Sequence, residues 1–188
     1  AGGGGRKRVV GGGRRGGGES GGELCGNEGE RAERGGVDGA MKGGRKKEGK
    51  GRGQEGGGRS LIEMGGNNVD NRVEMGEKGG IDVVMTGMRK HEGNAGVQEA
   101  GCGVMENFGV NDANKVEIIE KGGIDVVMTA MRKHEGDGGV QEAACRELRT
   151  LNGYDADNEV EVADDVGIDM VMTAMRKHEG NGMVQAAG

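Results

Sequence analysis

One string of letters, GGIDVVMTGMRKHEG, recurs along this chain and constrains its fold more than any other feature. Identical or near-identical copies of it occupy residues 79–93, 122–136 and 166–180. The equivalent isoleucines Ile81, Ile124 and Ile168 are 43 and then 44 residues apart. A period of about 40–47 residues is typical of helical repeat proteins, in which each unit contacts only its neighbours. The spacing therefore predicts a stack of similar helical units, whose function would lie on a surface and not in a catalytic pocket.

Each copy divides into three segments with helical patterning. Around the second string, these segments are 113–121, 124–134 and 139–152. Glycines follow the first two segments, and Asn111, Asp112 and Asp137 precede the first and third as N-cap candidates. Apolar residues of the middle segment recur at i, i+3, i+4 and i+7 and so share one helix face: Ile124, Val127, Met128 and Met131. Because this spacing is helical and not alternating, the sequence predicts an all-α fold without a sheet.

A faded copy and a glycine-rich start complete the organisation of the chain. The string VDGAMKGGRKKEG at 37–49 falls on IDVVMTGMRKHEG when it is shifted by 44 residues. Several glycines interrupt its helical pattern, and each costs about 1 kcal/mol relative to alanine, so we expect this copy to be marginal. We predict a disordered Gly/Arg-rich arm, a degenerate repeat and three further repeats with the boundaries 1–34, 35–66, 67–110, 111–153 and 154–188. The last repeat is truncated about one turn into its third helix, which favours a fragment of a longer repeat protein.

Charge also divides the chain. Residues 1–59 hold 14 basic and 8 acidic side chains, a net charge of +6, whereas residues 60–188 hold 12 and 24, a net charge of −12. The arm has very few apolar side chains, so burial would not offset the chain entropy lost on folding, and we expect it to be disordered. Its basic residues offer an alternative function, the electrostatic binding of nucleic acid, through Arg6, Lys7, Arg8, Arg14 and Arg15.

Several other functional classes lack their sequence signals. The chain has no run of 18 apolar residues and no secretory leader, so we expect an intracellular protein without a membrane span. No disulfide framework is expected, because Cys102 and Cys145 are one repeat apart at equivalent positions. The histidines His91, His134 and His178 are likewise copies of one position, so stacking would hold them about 10 Å apart, too far to share a metal ion. We predict no metal, no cofactor and no enzymatic activity.

Taken together, the pattern resembles the armadillo repeat. The shared features are a short helix, a Gly-Gly pair, an amphipathic helix, an acidic cap followed by VQE, and a third helix rich in small residues. The string CGVMENFG at 102–109 is similar to the end of the family's third helix, with Asn107 at the position of a characteristic asparagine. The resemblance covers residues 66–188 well and 35–65 weakly. It implies an armadillo-like α-solenoid, a right-handed superhelix of three-helix repeats.

In that family the third helices line a concave groove that binds extended peptides or partner proteins. The resemblance therefore implies a non-catalytic scaffold whose groove holds a protein or peptide partner, or neighbouring subunits of a larger assembly. It places six residues in the groove: Arg59, Glu63, Gly103, Asn107, Arg146 and Thr150. Gly103 and Arg146 stand where peptide-binding members of the family carry a tryptophan, and Thr150 stands at the asparagine position.

Deleting residues 1–34 should tighten the binding of an Arg-rich peptide. The basic arm and the acidic remainder of the chain attract each other, so the arm competes with basic ligands for the same carboxylates. Because exposed charges are screened beyond about 8 Å at physiological salt, the gain in affinity should be large at low ionic strength and nearly vanish at high. Titration of the peptide into the full chain and into the chain without residues 1–34, at two salt concentrations, measures this change in affinity. Equal affinities at low salt would leave an external polyanion as the partner of the arm.

Overall fold

The computed structural model describes residues 51–66, 68–152 and 165–188. All regular structure in these ranges is α-helical and no strand occurs there, which confirms the all-α prediction. In chain order the helices are α1 (Gly51–Gly65), α2 (Val69–Glu77), α3 (Gly80–Lys90), α4 (Ala95–Gly109), α5 (Asp112–Glu120), α6 (Gly123–Lys133), α7 (Gly138–Asn152), α8 (Asp165–Lys177) and α9 (Gly182–Ala187). The predicted arm, the first part of the degenerate repeat and the start of the last repeat lie outside the described residues.

The helices α2 to α4 recur as α5 to α7. Their lengths are 9, 11 and 15 residues in both sets, and each helix of the second set begins 43 residues after its counterpart. The predicted caps begin two of these helices: Asn111 accepts a hydrogen bond from the backbone N–H of Asn114 at 3.1 Å, and Asp137 accepts one from Gly139 at 3.0 Å. The period of the sequence is thus also a period of helix positions.

A Gly-Gly pair forms the corner between the first and second helix of each set. Gly79 and Gly122 have a φ of 74°, a left-handed conformation that costs glycine little. The next glycine packs closely, since a Cβ atom at Gly123 would lie 2.3 Å from Ile118 Cγ2 and 2.8 Å from the Ile118 carbonyl oxygen. The corner therefore needs one glycine for its backbone conformation and a second for its lack of a side chain.

The third helices of successive copies pack side by side. Helix α1 lies against α4, α4 against α7, and α7 against α9. Small residues allow a close approach: a Cβ atom at Gly58 would lie 3.0 Å from Ala100 Cβ, and one at Gly103 would lie 3.0 Å from Ile62 Cδ1. The second helices cover this row, α3 on α4 and α6 on α7, and one apolar core runs through these contacts.

The buried side of α6 is wider than the predicted apolar face. Ile124, Val127 and Met131 are buried as predicted. Met128 is only half-buried, whereas Val126 and Ala130, which are not on the predicted face, are buried as well. The reason is that α6 contacts α3 and α8 in addition to α7. A single stripe therefore describes only part of its packing.

Repeated glutamines connect the second and third helices of each copy. Gln141 Nε2 donates hydrogen bonds to the carbonyl oxygens of Met131 and His134, both at 3.0 Å. Gln98 and Gln185 make the same pair of bonds in their own copies. Carbonyl groups at the end of a helix lack helical donors. The glutamine of the VQE string therefore supplies donors to the end of the second helix from the third.

A further set of polar contacts joins successive copies. His134 Nε2 donates to the carbonyl oxygen of Glu92 at 2.7 Å, and Lys133 pairs with the Glu92 carboxylate. The same contacts recur one copy later, between the Lys-His pair at the end of α8 and Glu135. The RKHEG string of one copy therefore binds the RKHEG string of the copy before it.

Replacing Gln141 by leucine should lower the free energy of unfolding by about 1–3 kcal/mol, since the buried carbonyl group of Met131 and the partly buried one of His134 lose their donor while the side-chain volume is kept. Urea denaturation followed by circular dichroism measures the change. Gln185→Leu is the matched control, because Gln185 makes the same bonds but is only half-buried. Its effect should be smaller. Equal losses at both positions would contradict the role given to buried carbonyl groups.

Candidate partner-binding surface

The six residues predicted to line a groove lie at equivalent positions of three neighbouring helices. They are Arg59 and Glu63 on α1, Gly103 and Asn107 on α4, and Arg146 and Thr150 on α7. The three charged side chains are exposed, and the other three residues are half-buried. The packing of the helices therefore sets these residues in two series of three, one residue of each series on each helix. That they bind a partner stays a prediction.

Three glutamates that were not predicted from the sequence lie one turn earlier on the same helices: Glu55, Glu99 and Glu142. On α1, Glu55 pairs with Arg59 at 3.4 Å. On α7, Glu142 pairs with Arg146 at 3.3 Å. Their spacing of 44 and 43 residues equals the repeat period and is the signal that could have identified them. We call these glutamates and the six predicted residues the third-helix surface.

The centre of the third-helix surface differs from its two sides. Gly103 stands at the position of Arg59 and Arg146, so Glu99 lacks the basic side chain one turn away that its equivalents have. Among the described residues, Glu99 takes part in no ion pair. Its carboxylate lies beside Gly139 at the start of α7, where a Cβ atom would be 3.2 Å away and where the positive end of the helix dipole favours it. A half-buried carboxylate without a basic partner therefore lies at the centre of the surface.

A second unusual carboxyl group lies inside the packing of α4 against α7. Glu147 is fully buried, and neither of its carboxyl oxygens has a hydrogen-bond partner. Burial raises the pKa of Glu147 well above its ordinary value, and the like charge of Glu106 on α4 raises it further. Val104 holds the equivalent position of α4 and is buried too. Glu147 therefore places a polar group where the preceding copy has an aliphatic one.

The cysteines of the described chain are buried, free thiols. Cys102 and Cys145 occupy equivalent positions of α4 and α7, and Cys25 lies outside the described residues. Burial raises the pKa of both thiols, and the nearby Glu147 carboxylate raises that of Cys102 further. A thiol that stays protonated at neutral pH is a poor nucleophile. These two cysteines therefore act as small apolar residues of the core.

The repeated histidines bind backbone groups of the preceding copy. His134 and His178 reach the carbonyl oxygens of Glu92 and Glu135 at 2.7 and 2.8 Å. A carbonyl oxygen only accepts, so Nε2 of each ring carries the proton. Each of these side chains lies at the end of a second helix and contacts the copy before its own. Within the described part of the chain, no three His, Cys, Asp or Glu side chains are grouped to hold a metal ion.

Comparison with protein-family models, curated proteins and solved structures finds no match for this chain. The armadillo resemblance therefore depends on the residues quoted for it. The residues of the nucleic-acid alternative lie outside the described ranges: Arg6, Lys7, Arg8, Arg14 and Arg15. None of the described helices combines the length and the apolar character that a membrane span requires.

Replacing Glu147 by valine should raise the free energy of unfolding at pH 7 by about 1–3 kcal/mol, because it removes a buried carboxyl group without hydrogen bonds. The gain should shrink as the pH falls. The folded-state pKa is raised, so the folded chain binds more protons than the unfolded chain between the two pKa values, and Glu147 lowers stability as the pH rises through that window. Below the unfolded-state pKa of about 4.3, Glu147 is protonated in both states, so only the smaller cost of burying a neutral carboxyl group without hydrogen bonds remains.

Urea denaturation of both proteins at several pH values from about 4 to 8 tests this prediction. Glu106→Gln serves as a control, because it keeps Glu147 in place and removes only the like charge beside it. It should give a smaller gain in stability. A Glu147→Val protein that is less stable than wild type at pH 7 would show that the carboxyl group stabilises the fold.

Proposed function

We propose that this chain is a non-catalytic, intracellular scaffold that binds a protein or peptide partner along the third-helix surface. In this proposal the copies form an armadillo-like, right-handed solenoid, and α1, α4 and α7 line its groove. The supporting observation is the packing of these helices side by side, which sets equivalent side chains one helix apart. Neighbouring packed helices are about 8–10 Å apart, so an extended ligand would present successive side chains to successive helices.

The charge pattern of the third-helix surface defines the chemistry of the ligand. Arg59 neutralises Glu55 on α1 and Arg146 neutralises Glu142 on α7, whereas Gly103 leaves Glu99 without a counter-charge. A lysine or arginine of the partner would supply that charge, and a hydrogen bond between charged groups is about twice as strong as a neutral one. We therefore expect the partner to be an extended segment with a basic residue opposite the middle helix.

Peptides selected from a random display library on the full chain provide the test. Glu99→Gln should weaken their binding about tenfold, which corresponds to about 1.4 kcal/mol, because the basic side chain of the ligand loses its counter-charge. Gly103→Arg should weaken binding by a similar factor, since the new guanidinium pairs with Glu99 from within the chain. Fluorescence anisotropy of labelled peptides measures both affinities.

The matched control is Glu120→Gln, the same change at an exposed glutamate of α5 outside the third-helix surface. It should leave the affinity unchanged, and circular dichroism should show that all three variants keep their helices. If Glu99→Gln and Gly103→Arg both bind the peptides as tightly as wild type, the peptides do not bind at the third-helix surface. RNA binding that disappears on deletion of residues 1–59 and weakens steeply with salt would favour the nucleic-acid alternative.

A further inference from the structure

The boundary between α4 and α7 is the most extensive contact between any two helices of the described ranges, and it contains two carboxyl groups. Glu147 of α7 is fully buried there, and neither of its oxygens has a hydrogen-bond partner. Glu106 of α4 is half-buried and lies beside it, close enough for the two charges to act on each other. Within the described part of the chain, neither carboxyl group forms an ion pair. The largest interface of the stack thus holds an acidic pair without a counter-charge.

The preceding boundary, between α1 and α4, has a different pair at the same two positions. Ile62 stands one repeat before Glu106, and Val104 stands one repeat before Glu147. Val104 is fully buried and Ile62 packs against the same apolar core. Stacking of third helices therefore needs no carboxyl group at either position. The exchange of an aliphatic pair for an acidic one makes the second boundary responsive to protons, which do not act on the first.

The closed boundary holds a proton on Glu147. A buried carboxyl group without donors is much more costly to bury charged than neutral. Burial raises the pKa of Glu147 well above its ordinary value, and the like charge of Glu106 raises it further. When the two helices separate, water solvates the carboxyl group, and its pKa returns to about 4.3. Opening therefore releases a proton at neutral pH, so a rise in pH favours the open form.

The other ionisable groups around Glu147 do not supply a compensating charge. Cys102 of α4 is fully buried beside it, and Cys145 lies two residues before it on α7. Both thiols are held protonated, and hence neutral, by burial. Arg146 is exposed and pairs with Glu142 on the same helix. Cys102 also provides a reporter, because a reagent reaches this thiol only after the packing around it has opened.

We propose that the boundary between α4 and α7 is a pH-sensitive opening, in which loss of the proton from Glu147 separates the two helices and exposes the Cys102 thiol. Each unit of a stacked protein contacts only its neighbours, so one boundary can open while the packing on either side of it persists. The opening does not depend on the function proposed for the third-helix surface.

The rate at which iodoacetamide alkylates Cys102 of the full chain measures the opening. Mass spectrometry of the digested protein reports this cysteine separately from the other two, and division by the rate for glutathione at the same pH removes the titration of the thiol itself. Opening releases one proton, so the normalised rate should rise about tenfold per pH unit between about pH 6 and 8, up to the pKa of Glu147 in the closed form. A normalised rate that does not change with pH would overturn the proposal.

A double variant, Glu106→Ile with Glu147→Val, gives this boundary side chains of the kind found between α1 and α4. Its normalised rate should be lower than that of wild type and independent of pH. Glu106→Gln alone should lower the rate but keep the rise with pH, because Glu147 remains. Glu120→Gln, at an exposed glutamate of α5, is the control and should behave like wild type. A rise with pH that persists in the double variant would show that Glu147 does not cause it.

Small additions of urea separate local opening from global unfolding. The dependence of a transition on urea scales with the surface that it exposes, and separation of two helices exposes less surface than unfolding of the chain. Alkylation of Cys102 should therefore respond to urea much less steeply than the unfolding equilibrium followed by circular dichroism. Equal slopes would mean that only global unfolding exposes Cys102, and they would refute an opening confined to this boundary.

Discussion

The close approach of the third helices is the constraint on which the rest of the structure depends. The chain has 46 glycines, one phenylalanine and no tryptophan, so few large side chains are available to fill space between helices. Small residues take their place where α1 meets α4, as at Gly58 beside Ala100, and backbones that come close gain dispersion contacts along their whole length. Each helical glycine also costs about 1 kcal/mol relative to alanine. The helices therefore depend on their neighbours more than on their own propensity.

Directional polar contacts complement this packing. Interfaces between small, smooth helix faces do not by themselves specify how far one helix lies along another, whereas hydrogen bonds do. Gln141 fixes α7 to the end of α6, and His134 with Lys133 fixes α6 to the preceding copy at Glu92. The bonds of Gln141 and His134 also satisfy carbonyl groups near helix ends, which would otherwise lack a donor. Packing within each copy therefore explains the glutamine of VQE, and packing between copies explains the lysine, histidine and glutamate of RKHEG.

The parts of the structure that could be predicted from the sequence are those with local causes. Asn111 and Gly122 mark the limits of α5 through capping and backbone conformation, which depend on neighbouring residues only. The surroundings of Glu147 and Glu99 could not be predicted in this way. A glutamate in a helix is ordinarily exposed, and the burial of Glu147 follows from the position of α4, which no local pattern contains. The unpaired state of Glu99 likewise becomes visible only when Gly103 is compared with its equivalents on the neighbouring helices.

The copies themselves separate residues that stack from residues that are free to bind. Positions that hold the copies together carry the same residues each time, as at Lys133 and Lys177 and at His134 and His178. Two of the three series on the third-helix surface do not: the series through Gly103 reads Arg, Gly, Arg, and the series through Asn107 reads Glu, Asn, Thr, whereas the series through Glu99 is glutamate throughout. A stacking contact must be made in every copy, so it requires the same chemistry throughout. A ligand that meets successive helices has no such period, so the side chains that face it are free to differ from copy to copy, as those in the series through Gly103 and Asn107 do.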